Sequence, residues 1–171
     1  MQSSLKVNIA SAFLSLTALC WAGATPKADP IQADHILIIK SERTLTLMRQ
    51  GKVLRTFKVA LGPKPRGAKS RVNDGRTPEG AYVIDSRNEH SHYHLSLHIS
   101  YPNAADRAQA RKLGVDPGGD IMIHGLPPAY SWVGAAHREK NWTLGCIAVT
   151  DAEIEEIWSK VRVGTPVEIR P

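Results

Sequence analysis

The clearest regularity in the chain is the alternation over residues 93–101. Tyr93, Leu95, Leu97, Ile99 and Tyr101 alternate with His94, Ser96, His98 and Ser100. A period of two sends one set to each face of a pleated strand, so this segment predicts a half-buried strand. Shorter apolar runs predict strands over 35–39, 45–48, 53–60, 81–85, 120–124 and 167–169, with Gln50-Gly51 as the turn of an opening meander. Residues 61–76 are rich in Gly, Pro, Lys and Arg and predict an irregular segment, and residues 77–80 and 117–119 predict turns. The period changes in two places. Residues 104–113 predict a short helix ended by Gly114. Farther on, Thr150 and Glu153 have the spacing of a capping box, and Ile154, Ile157, Trp158 and Val161 follow at i, i+3, i+4 and i+7. Lys160 and Arg162 complement the C-terminal end of that helix dipole, and Gly164 is the expected stop. The pattern describes a mainly β domain with one or two short helices, and it shows no internal repeat.

Composition adds a compartment. Lys6, the short apolar run 7–19 and the small-x-small triplet Ala22-Gly23-Ala24 read as an export signal over residues 1–24, cleaved near Ala24. Acylation of Cys20 is the alternative, and the bulky Leu19 beside it fits that processing poorly. Residues 25–33, small and polar with two prolines, read as a linker to one domain over 34–171. The expected location is periplasmic, and no later run is long and apolar enough to predict stable membrane insertion. The formal charge of +6 falls to +5 without Lys6, because residues 1–24 hold no acid. That balance suits an anionic polymer or a membrane surface. Export and the lack of any nucleic-acid-binding pattern exclude nucleic acid as a partner.

The candidate chemistry centres on Cys146, in Thr143-Leu144-Gly145-Cys146-Ile147-Ala148, downstream of Ile121-Met122-Ile123-His124-Gly125. After removal of the leader it is the only thiol, so it has no intramolecular disulfide partner. Two readings stand side by side: a nucleophile activated by an imidazole, or a small hydrophobe packed in a core. His92, His94 and His98 have alternate spacing that can bind zinc on a strand, but no nearby carboxylate or thiolate pattern completes such a site, so neither metal nor cofactor is expected. The polar strand face is the preferred reading, with His94 or His98 near a cleft. Lys64, Arg66, Lys69, Arg71 and Arg76 form a basic irregular segment that can meet carboxylates or simply be solvated. Tyr130, Trp132 and Trp142 are candidates for a cleft wall or for ordinary packing.

The order Ile-His-Gly, loop, Gly-Cys-Ile, short helix and Gly-Thr-Pro-Val strand resembles the L,D-transpeptidase catalytic domain of the YkuD-like family. Arg76-Thr77-Pro78-Glu79-Gly80 is similar to that family's upstream Thr-Pro-x-Gly turn. The resemblance implies a YkuD-like β-sandwich fold and a cysteine-dependent reaction on peptidoglycan stem peptides, with an amine or a lipoprotein as acceptor. It implies that Cys146 is the nucleophile and His124 the general base, with the Gly125 carbonyl fixing the imidazole tautomer. The amides of Gly145 and Cys146 become candidate oxyanion donors. Thr143, Arg76, His94 and Trp142 are the further candidate substrate contacts. Leu144 and Ala148 stand where the family often has His and Arg, which leaves two other activities open: hydrolysis of an L,D-type linkage, and noncatalytic wall binding.

Overall fold

The turn at Gln50-Gly51 sets the first hairpin. Both residues have positive φ, 51° and 74°, as a tight two-residue hairpin loop requires. It joins β2 (Thr44–Arg49) to β3 (Lys52–Lys58), and β1 (His35–Ile39) pairs antiparallel with β2. The computed structural model describes residues 31–171; the expected leader and most of the expected linker lie outside the described residues. The remaining strands are β4 (Gly80–Ser91), β5 (His94–Ile99), β6 (Met122–His124), β7 (Ile147–Ala148) and β8 (Pro166–Arg170). Two helices, α1 (Ala104–Leu113) and α2 (Asp151–Lys160), and a 3₁₀ segment (Pro128–Glu139) complete the element order.

All eight strands form one sheet in the order β3-β2-β1-β8-β4-β5-β6-β7. The β4–β5 register shifts at Ile84/Ser86 and again at Asn88/Ser91, and such bulges bend a strand and increase its twist. The sheet curls so far that its two ends meet. Ala60, just beyond β3, exchanges two backbone hydrogen bonds of 2.9 Å with Ala148 of β7. The curled sheet encloses one core, in which Ile36, Ile38, Leu45, Leu47, Ile84, Leu97, Ile99, Ile123 and Ile147 are fully buried. Ile154, Ile157 and Val161 of the α2 segment are part of that core, so the apolar stripe read from the sequence is the face that packs.

The expected mainly β class with short helices stands. The expected capping box of Thr150 with Glu153 forms on α2; α1 has one of its own, Asn103 with Asp106, and its C-cap Gly114 has φ 64°. Several boundaries differ for physical reasons. β5 begins at His94 because residues 92–93 turn the β4–β5 hairpin, so Tyr93 leaves the apolar strand face. β4 runs on to Ser91 through polar residues that apolar counting does not register. α2 ends at Lys160, ahead of Gly164, because Val161 turns extended (φ −116°, ψ 127°) while its side chain stays buried. The loop expected between base and nucleophile contains the 3₁₀ segment, kinked at Gly134. At the N-terminal border, Ala33 is buried and its amide donates to the Lys160 carbonyl, docking the end of the expected linker on α2.

Candidate active site

Strand register brings the two principal candidates together. Ile123 and His124 of β6 pair in parallel with Ile147 and Ala148 of β7. Cys146 therefore lies beside Met122, and successive side chains alternate faces. Cys146, Met122 and His124 share one face, while Ile123 and Ile147 point into the core. The Val149 amide donates to the His124 carbonyl and continues this pairing. Cys146 and His124 line one cavity of about 390 Å³, together with Lys69, Asn73, Tyr93, Asp120, Trp142, Thr143 and Leu144.

The imidazole is held in one orientation. His124 is buried, and its Nδ1–H donates to the Gly125 carbonyl oxygen at 2.7 Å. A ring nitrogen facing a carbonyl must carry the proton, so neutral His124 has its free lone pair on Nε2. Burial holds the imidazole below its usual pKa, against a smaller opposite effect of the Gly125 carbonyl. The ring packs against Tyr93 (centroids 4.4 Å apart) and edge-on to Trp142 (5.8 Å). Gly125 is needed for close approach: a Cβ there would come within 2.6 Å of Asp151 Oδ1, the atom that accepts the Leu126 amide at 2.7 Å.

The thiol is shifted toward its protonated form. Burial pushes Cys146 up, and the Asp120 carboxylate pushes it the same way. The Met122 amide and Lys69 act more weakly in the opposite direction. Cys146 Sγ donates to the Asp120 carbonyl oxygen at 3.4 Å. Gly145 turns the chain into Cys146 with φ 128°, and a Cβ there would stand 2.5 Å from the Arg76 carbonyl oxygen.

Thr143 braces this turn. Its hydroxyl donates to the Cys146 carbonyl at 2.7 Å and accepts the Gly145 amide at 3.2 Å. The Gly145 amide, one of the two expected oxyanion donors, is thus already engaged. Trp142 lines the cavity. Arg76 and His94 do not: the Arg76 guanidinium lies against Gly67, and His94 Nε2 is 2.7 Å from Glu155 Oε1 on α2. The basic segment contributes Lys69, which is buried and donates to Asp74 Oδ1 and to the Arg71 carbonyl, each at 3.1 Å. Asp120 and Tyr93 are site residues the sequence reading did not single out. Tyr93 sits within a period-two run that assigned it to a core face, and Asp120 within an apolar strand pattern. Among the described residues no His, Cys, Asp and Glu cluster fits a metal ion, and no helix is long and apolar enough to cross a membrane.

The curled sheet thus presents a thiol and an imidazole on one face, lining one cavity. The family model described as the L,D-transpeptidase catalytic domain (YkuD) matches residues 33–169. The chain belongs to this family. It is 32% identical over 134 residues to the Escherichia coli K12 protein named "Putative L,D-transpeptidase YafK", covering 74% of this chain and 46% of that protein. Among solved structures it is similar to a point variant of the helical cell shape determining protein Pgp2 from Campylobacter jejuni, with 25% identity and a TM-score of 0.63, over 81% of this chain and 47% of that one. The L,D-transpeptidase from Xylanimonas cellulosilytica shares the fold at 18% identity and a TM-score of 0.54, over 86% of this chain and 65% of that one. The chain spans about half the length of the curated relative it matches.

Proposed function

We propose that this L,D-transpeptidase domain is an exported enzyme that takes an acyl group from a peptidoglycan stem peptide onto Cys146 and passes it to an amine. The observation that carries the proposal is the placement of Cys146 and a tautomerically fixed His124 on one face of neighbouring strands, lining one cavity. In the first step Sγ attacks the carbonyl preceding the terminal D-amino acid. His124 Nε2 takes the thiol proton and returns it to the departing amine, so that a thioester remains and the imidazole is neutral again. The oxyanion is taken by the Cys146 amide. In the second step an amine attacks the thioester, its proton passes to Nε2, and the imidazolium gives it to the leaving thiolate. The acceptor is the side-chain amine of a second stem peptide or of a lipoprotein.

Purified protein incubated with a tetrapeptide muropeptide, with and without a diamino-acid acceptor, tests the proposal. Transfer yields a product containing the acceptor and releases the terminal D-amino acid. Tripeptide without incorporated acceptor replaces this reading by hydrolysis, and absence of any product replaces it by wall binding without catalysis.

A further inference from the structure

Trp142 stands between two cavities. It lines the thiol cavity, and it also lines an apolar cavity of about 300 Å³ whose walls include Tyr93, Leu126, Tyr130, Val133 and His137. With space on both sides, close packing alone does not fix its side chain. Its backbone is pinned: Asn141 Oδ1, just before it, accepts the Leu61 amide at 3.0 Å, and the Thr143 amide, just after it, donates to the Leu61 carbonyl at 3.1 Å. What remains to be set is the indole. Its Nε1–H donates to His137 Nδ1 at 3.4 Å, a long bond, and the two rings meet edge-on with centroids 6.3 Å apart.

His137 is an unfavourable residue for an apolar wall. It is buried. Burial first, then the Arg138 charge, pulls its pKa down to about 4; Glu153 opposes them, and His124 and Arg43 add to the fall. The ring is therefore neutral at neutral pH, and an accepting Nδ1 puts its proton on Nε2. That Nε2–H is buried and has no hydrogen-bond partner among the described residues. A buried donor without a partner is destabilising. Phenylalanine would fill the same wall without that penalty. What histidine adds is the Nδ1 acceptor that faces Trp142. The post is also firmly anchored. Arg138, next in the chain, pairs with Glu153 of α2, and its carbonyl accepts a bond from Arg43 Nη2.

We propose that His137 is a positioning residue for the reaction: by holding the Trp142 indole it keeps that ring against the His124 imidazole. Trp142 lies edge-on to His124 at 5.8 Å, Tyr93 covers it at 4.4 Å, and His124 is buried. Trp142 and Tyr93 are themselves partly exposed, so this cover is one ring thick and depends on how the indole stands. Turned into the apolar cavity, Trp142 would open His124 to water. The imidazole would lose the burial that holds its pKa down, and one of the two rings that confine it. His137 does not line the thiol cavity and acts only through Trp142. The assignment rests on the reading of His124 as general base.

The test compares His137→Phe, which fills the wall without an acceptor, with His137→Asn, whose Oδ1 takes the place of Nδ1. NMR titration of the His124 imidazole and the pH profile of kcat/KM are measured on both. In His137→Phe the His124 pKa should rise toward the ordinary histidine value, and the acid limb of kcat/KM should move to higher pH with it. The plateau kcat should fall about tenfold, because the base is less well placed. His137→Asn should stay close to wild type in all three. A purely structural role would lower Tm without moving the His124 titration in folded protein. An unchanged His124 in folded His137→Phe, or an equal change in His137→Asn, overturns the assignment. If His137→Phe does not fold, two measurements replace it: hydrogen exchange of the Trp142 indole in wild type, and the His124 titration in Trp142→Phe, which has a ring but no N–H to give. Slow indole exchange with a raised His124 pKa supports the assignment; exchange at the rate of a free indole, or an unchanged pKa, overturns it. If wild type shows no turnover, the proposed function fails separately, and the His124 titration, which needs no substrate, decides the positioning role alone.

Discussion

The Thr143 hydroxyl offers a sharp test of how the nucleophile turn is held. Thr143→Val keeps the shape of the side chain and removes both of its hydrogen bonds, so no cavity is created. The bond to the Cys146 carbonyl is short at 2.7 Å, whereas the bond from the Gly145 amide is 3.2 Å. Thr143 is 4% exposed, so water does not readily replace the hydroxyl. A lost hydrogen bond contributes about 1 kcal/mol net, and a buried group left without a partner costs about 1–3 kcal/mol. Weighting the longer bond less, the variant should lose roughly 2–3 kcal/mol of stability. For a domain of this size 1 kcal/mol shifts Tm by about 3–5 °C, so differential scanning calorimetry should show a fall of about 6–15 °C.

Turnover should fall further than stability alone requires. Freed of Thr143, the Gly145–Cys146 turn no longer fixes where Sγ and the Cys146 amide stand, and misplacement by about 1 Å can cost on the order of 100-fold in rate. The expectation is a drop in kcat of at least about tenfold, measured at a temperature where the variant is fully folded. Thr143→Ser, which keeps the hydroxyl, should recover most of both losses. A Thr143→Val protein with unchanged Tm and kcat would refute the argument, because then neither bond braces the turn.

Cys146→Ala should abolish turnover with the fold intact, and a carbapenem should add covalently to wild type only, as intact-protein mass spectrometry would reveal. His124→Gln should slow the chemical step by at least about 100-fold; a defect confined to KM would remove it from the role of base. Because burial pushes the thiol up and the imidazole down, iodoacetamide alkylation of Cys146 should keep accelerating beyond the ordinary thiol pKa. A rate plateau near neutral pH would instead reveal a preformed thiolate–imidazolium pair. The same downward shift leaves His124 neutral below the usual imidazole pKa, so the acid limb of kcat/KM should fall at lower pH than for an unperturbed histidine. N-terminal sequencing of the exported protein should start near Thr25, and a diacylated Cys20 would overturn that expectation.

What was legible in the sequence was local. The β1 and α1 bounds, the Gln50-Gly51 turn and the Thr150–Glu153 capping box follow from side-chain period and turn chemistry over a few residues. Ile-His-Gly and Gly-Cys-Ile could be picked out because their order carries information. β7 could not, since two residues have no period, and it exists through pairing with β6 and with Ala60. The part played by Thr143 was hidden for a similar reason: its partners are the carbonyl and amide of its own turn, which only the folded backbone brings into reach. His98 and Asp85 are thirteen residues apart in sequence, and nothing but the β4–β5 register makes them neighbours.

The charge at the site is the clearest case where composition misdirects. A net charge of +6 and a basic segment over residues 61–76 point to a cationic cleft for substrate carboxylates. Folding spends several of those cations inside the protein. Lys40 is buried on Glu79 at 2.8 Å and on the Gly67 and Thr77 carbonyls, Lys69 is paired with Asp74, and Arg138 with Glu153. Lys40 ties the irregular segment to the end of β1, Lys69 and Asp74 pair within that segment, and Arg138 ties the end of the 3₁₀ segment to α2; a charge committed to such a partner has little field left for a ligand. The two departures from the family pattern act in the same direction. Leu144 is 71% exposed on the rim of the thiol cavity, and Ala148 is fully buried where the sheet closes on Ala60, so neither position offers a charge or a hydrogen bond to substrate. Lys69 remains on the thiol side, paired, while Asp85 and Asp120 line an adjoining cavity with Met122. Net charge governs attraction to an anionic polymer at a distance; at the reaction centre, the pattern of pairing leaves an acidic approach in an otherwise basic protein.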